Sequence, residues 1–98
     1  MHNKEQLIQK IREIKPELVN NFGVENIALF GSVASNENNS NSDIDIFVSL
    51  KQGYKTFDNF MDLKFYLEEA LAGKVDLMIK ESIRARFQKT IFEKAVYA

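Results

Sequence analysis

Two stretches decide the fold. The first is Asn26-Ile27-Ala28-Leu29-Phe30-Gly31-Ser32. The second, ten residues further on, is Asp43-Ile44-Asp45-Ile46-Phe47-Val48-Ser49-Leu50. Asn26 to Phe30 is a short apolar run closed by a Gly-Ser pair, the pattern of a buried strand ending in a tight turn. Asp43 to Leu50 alternates with the period of a strand. Ile44, Ile46, Val48 and Leu50 face one way, and Asp43, Asp45, Phe47 and Ser49 face the other. The link between them, Ser35 to Ser42, holds four Asn among eight residues and reads as a surface loop.

Working outward, Asn3 can cap a helix starting at Lys4, in which Leu7, Ile8, Ile11, Ile14 and Leu18 recur at helical spacing. Pro16 is expected to end the helix, kink it or open a new turn, and Asn21-Phe22-Gly23 reads as the stop. After a turn at Gly53, Thr56 can cap a second long helix. Phe57, Phe60, Met61, Lys64, Leu67 and Leu71 form its expected stripe, and Gly73 its stop. Lys74 to Ile79 is a third strand, with Asp76 and Met78 on one face. The tail from Ser82 reads as a helix running through Ala95-Val96-Tyr97-Ala98, with Ile83, Phe87, Thr90, Ile91 and Lys94 in register. The order α-β-β-α-β-α predicts an α/β fold: a small mixed sheet flanked by helices, mainly on one face.

At 98 residues, 45% of them hydrophobic, the chain is expected to form one domain, 1–98, with a single small core. The net charge of −1 argues against general nucleic-acid binding. There is no cysteine, so disulfides and thiolate metal sites are excluded. The start, Met1 to Gln6, lacks the apolar segment of a secretory signal. No apolar run approaches the ~20 residues that span a bilayer. The expectation is a cytoplasmic protein that does not engage membranes. Residues 80–94 carry Lys80, Arg84, Arg86, Lys89 and Lys94 against Glu81 and Glu93: a solvated helix face, or a cationic wall for phosphates or an acidic partner.

Two residues apart on a strand, Asp43 and Asp45 aim at one spot. Unneutralised, they repel and one takes up a proton; a hard divalent cation removes that conflict. Asp76, inside another apolar run, supplies a third carboxylate. An Asp within a strand core demands a reason. Three such acids suit two ions, Mg²⁺ or Mn²⁺, about 3.5–4 Å apart, clamping an in-line displacement at phosphorus. Gly31 lets its backbone approach a ligand, successive N–H groups in such a turn bind anions, and the Ser32 hydroxyl adds a donor.

The segment Gly31-Ser32-Val33-Ala34-Ser35-Asn36, then Ser42-Asp43-Ile44-Asp45-Ile46-Phe47-Val48, then Val75-Asp76-Leu77, resembles the minimal nucleotidyltransferases of the DNA polymerase β-like superfamily. The resemblance covers most of the chain. It implies transfer of a nucleoside monophosphate, AMP from ATP as the first choice, to a hydroxyl with two Mg²⁺. Asp43, Asp45 and Asp76 would be metal-binding and catalytic, and Gly31 and Ser32 nucleotide-binding. Family members usually continue Gly-Ser-x-Ala-Arg-Gly, whereas Ser35-Asn36 stands here. One phosphate-facing cation is therefore missing, and Arg84 and Arg86 are the candidate replacements.

The resemblance extends to antitoxins whose partner is a HEPN-type toxin and which can adenylylate a tyrosine of it. That is the expected partner, with self-association through exposed apolar residues as a further expectation. Two alternatives stay open. One is a catalytically weak protein that neutralises a partner by contact. The other is the catalytic subunit of a two-component small-molecule nucleotidyltransferase.

Overall fold

A computed structural model describes residues 3–34 and 43–98. The Asn-rich loop and the Ser35-Asn36 position lie outside the described residues. The element order is α1 (Lys4–Phe22), β1 (Val24–Phe30), α2 (Gly31–Ala34), β2 (Ile44–Leu50), α3 (Phe57–Leu71), β3 (Val75–Ile79), a 3-10 turn at Lys80–Ser82, α4 (Ala85–Lys94) and β4 (Val96–Tyr97).

The Asn3 side chain accepts the Gln6 N–H at 3.1 Å and so caps α1 as expected. The helix then runs straight through Pro16 to a left-handed Gly23, where Pro16 was expected to end it, kink it or open a new turn. Proline removes one helical hydrogen bond. Ile11 and Leu18, on either side of it, are fully buried, so packing of the apolar stripe outweighs that loss. The Tyr54 ring lies directly on Gly23, whose φ is +68°, so neither the conformation nor the space admits a side chain there. Asn59 Nδ2 donates to the carbonyls of Phe22 and Tyr54, both at 2.9 Å, and ties the start of α3 to the end of α1.

Thr56 caps α3 as expected, accepting the Asn59 N–H at 3.1 Å. Its buried face is Leu63, Leu67 and Leu71, with Phe60 half-buried against it. Phe57, expected in that stripe, is 76% exposed. The two stripes differ by less than one helical step, and the three leucines at i, i+4 and i+8 win. The helix stops at Ala72 in the left-handed conformation, one residue before the expected Gly73.

The sheet order is β3-β2-β1-β4. β1 and β2 are antiparallel, β2 and β3 parallel, and β4 pairs antiparallel with β1. The sheet is thus mixed, as expected. Ile27, Leu29, Ile44, Ile46, Val48, Leu50, Val75 and Leu77 pack with α1 and α3 in the main core. The other face carries a second cluster of Ala28, Phe30, Phe47 and Ile83, with Ile91 and Phe92 of α4 against it. Helices therefore cover both faces, where one was expected to be mainly bare. Phe47 is fully buried at the centre of this layer, its ring 5.3 Å from Phe92 and 5.7 Å from both Phe30 and Tyr97. Burying a Phe side chain contributes roughly 2–3 kcal/mol.

The tail also departs from expectation. Its helix begins at Ala85, not Ser82, and Val96-Tyr97 leaves it to become β4. Two β-forming residues there satisfy backbone groups of Ala28 and Leu29 that would otherwise sit on an open edge.

Candidate nucleotide-transfer site

The site sits where the end of β1 meets the starts of β2 and β3. Antiparallel pairing puts Phe30 opposite Asp45, so Gly31 follows at the edge beside that carboxylate. Parallel pairing puts Asp45 opposite Asp76. Asp43, exposed, immediately precedes β2. The sheet therefore brings Gly31, Asp43, Asp45 and Asp76 from three strands to one corner. Ser32 begins the single turn of α2 there, half-buried.

Gly31 has φ +68°, which an L side chain rarely adopts. A Cβ at this position would overlap the Asp45 carboxylate, coming within 3.0 Å of its Cγ and 3.3 Å of its Cβ. Asp45 and Asp76 share a side-chain hydrogen bond. Burial pushes the Asp45 carboxyl up from its ordinary 3.8 to about 6, helped by the charges of Asp76 and Asp43 and by the shared hydrogen bond. Such a pair holds a proton where no cation balances it.

Among the described residues, no three His, Asp or Glu side chains stand close enough together to form a ready-made ion cage. Asp45 and Asp76 are joined, and Asp43 acts on Asp45 as a neighbouring charge. The donor set still fits Mg²⁺, which ordinarily takes one or two carboxylates and completes its shell with phosphate oxygens and water. Neither Arg84 nor Arg86 pairs with these acids; Arg86 lies over the Phe87 ring at 4.8 Å.

One residue beside the site escaped the sequence reading. Glu68 of α3 accepts the Val75 N–H at 3.0 Å and so fixes the start of the strand that carries Asp76. That hydrogen bond, then Lys64 at 3.4 Å, holds its carboxyl below the usual range. An acid one turn before a helix end carries no sequence signal of such a contact.

The sequence model of the nucleotidyltransferase domain family matches residues 11–98. The chain belongs to this family. The nucleotidyltransferase is 37% identical over 83 residues to the protein adenylyltransferase MntA of Thermococcus cleftensis, covering 85% of this chain and 83% of that one. A solved structure of minimal-nucleotidyltransferase type superposes with a TM-score of 0.81 at 28% identity, over 97% of this chain and 95% of the other. A toxin–antitoxin crystal structure with AMP-PNP superposes with a TM-score of 0.68 at 25% identity, over 98% of this chain and 72% of that chain. The fold and the enzyme class expected from the sequence are those found. No helix among the described residues is long and apolar enough to cross a membrane.

Proposed function

We propose that this nucleotidyltransferase moves AMP from ATP to a hydroxyl of a protein partner, with a tyrosine of a HEPN-type toxin as the acceptor. The carrying observation is the Asp45–Asp76 pair on adjacent strands with Gly31 packed beneath it. Support also comes from the relative named a protein adenylyltransferase and from the toxin–antitoxin neighbour with AMP-PNP.

In this reading Asp43 and Asp45 hold two Mg²⁺ and Asp76 completes the position nearer the acceptor. Bound Mg²⁺ supplies charge neutralisation for the triphosphate and the attacking oxygen. Gly31 lets the polyphosphate approach the backbone, and Ser32 offers its hydroxyl to a phosphate oxygen. Asp76 accepts the proton of the acceptor hydroxyl. The acceptor oxygen bonds to the α-phosphorus, the bond to the bridging oxygen breaks, and pyrophosphate leaves.

The test is mass spectrometry of a HEPN-type toxin after incubation with the protein, ATP and Mg²⁺. The expected product carries adenylate on tyrosine, and Asp45→Asn yields none. The Ser35-Asn36 pair in place of Arg-Gly favours one second reading, neutralisation by contact. An inhibited but unmodified toxin would establish that instead.

A further inference from the structure

β3 is the last strand of the sheet on its side, and it carries Asp76. The Ile44 N–H donates to the Lys74 carbonyl at 2.8 Å, which sets the phase of the parallel ladder. Residues 74, 76 and 78 therefore turn their backbone groups toward β2, and 75, 77 and 79 turn theirs outward. Glu68 takes the Val75 N–H. Among the described residues, nothing pairs with the outward N–H and C=O of Leu77 or the outward N–H of Ile79. At the same end of β3, Ile79 lines a cleft with Leu50, Lys55, Phe57 and Phe60, in which Phe57 is 76% exposed.

We propose that this edge and cleft bind an extended segment of the acceptor protein as an added strand, and that the segment's pattern selects the modified hydroxyl. The proposal rests on the transfer reading above. Free outward donors and acceptors on one strand are satisfied by another extended backbone. A residue of the added strand opposite Ile79 points to the α3 face, over Phe57 and Phe60. A residue opposite Asp76, three positions away, points to the other face, where Asp45 and Asp76 stand. The preferred acceptor thus has an apolar residue three positions from its hydroxyl residue. Lys55 in the cleft and Lys74 at the head of the strand complement acidic flanks.

The probes are synthetic decapeptides with one tyrosine, Glu at both ends and one Leu two, three or four positions from the tyrosine. Each is incubated with the protein, ATP and Mg²⁺, and adenylate on the peptide is read by mass spectrometry. The spacing of three should be labelled at least tenfold more than the others. Ile79→Pro removes the outward N–H at a residue whose φ of −84° suits proline. It should lose that labelling, Ile79→Val should keep it, and exposed Phe57→Ala should lower it severalfold. All variants should keep the gain in Tm from Mg²⁺-ATP. Equal labelling across spacings, or no labelling by a protein that gains Tm with Mg²⁺-ATP, overturns the strand proposal alone. Loss of both labelling and Tm gain in the unaltered protein overturns the transfer reading and this proposal with it.

Discussion

The Asp45 carboxylate occupies the space that a Cβ on residue 31 would fill, so Gly31 and Asp45 form one packed unit across the β1–β2 edge. The Gly-Ser turn and the Asp-x-Asp strand are therefore coupled by contact, not merely neighbours in sequence. Gly31→Ala should cost about 1–2 kcal/mol from the left-handed backbone alone. It should also displace the carboxylate and abolish nucleotide transfer. Urea melts and an adenylate-transfer assay check both; near-normal transfer by a folded Gly31→Ala protein would contradict the coupling.

Asp45 makes the apo protein less stable as pH rises. Its carboxyl is raised from 3.8 to about 6, so between those values the folded state holds a proton that the unfolded state has released. Stability should fall as pH climbs from 4 to 6 and level off above. The full displacement corresponds to about 3 kcal/mol. Asp45 is half-exposed, and screening reduces this to about 1 kcal/mol. Asp45→Asn should flatten the profile and leave the metal-free protein slightly more stable at pH 7. Thermal melts across pH 3.5–7.5 in EDTA read the slope directly.

Glu68 acts in the opposite sense. Its carboxyl lies below the ordinary 4.5, because it accepts the Val75 N–H and neighbours Lys64. The stability it contributes is present above its unfolded value and is lost as pH falls through the lowered one. Glu68→Gln keeps an acceptor oxygen and should preserve slow exchange of the Val75 amide. Glu68→Ala should speed that exchange and reduce transfer, because the strand bearing Asp76 loses its anchor. Hydrogen exchange at Val75 separates the two variants.

Sequence reading reached the catalytic corner because its geometry is local. Period-two alternation put Asp43 and Asp45 on one face, and an Asp inside an apolar run marked Asp76. Those inferences need only strand period and the cost of burying charge. The pairing of Asp45 with Asp76 depends on β3 returning parallel to β2, which the α3 crossover allows but no single stretch spells out. β4 was misread because Ala95-Val96-Tyr97 continues a helical pattern until an open edge at Ala28 and Leu29 competes for it. Phe57 was misread because two stripes on α3 are nearly in phase.

Mg²⁺ and ATP should stabilise the protein together far more than either alone. The carboxylates supply only part of a Mg²⁺ shell, and the triphosphate's oxygens supply ligands that this chain lacks. At a hundredfold excess over Kd, binding to the folded state adds about 2.7 kcal/mol. For a chain of this size that is on the order of 10 °C in Tm. EDTA should reverse the gain, and Asp45→Asn should abolish most of it while keeping the apo Tm. Binding requires Asp45 to release its proton, so the gain should shrink below pH 6 and protons should be expelled on mixing. Calorimetry in buffers of different ionisation enthalpy measures that release. A Tm gain equal in wild type and Asp45→Asn would place the ions elsewhere.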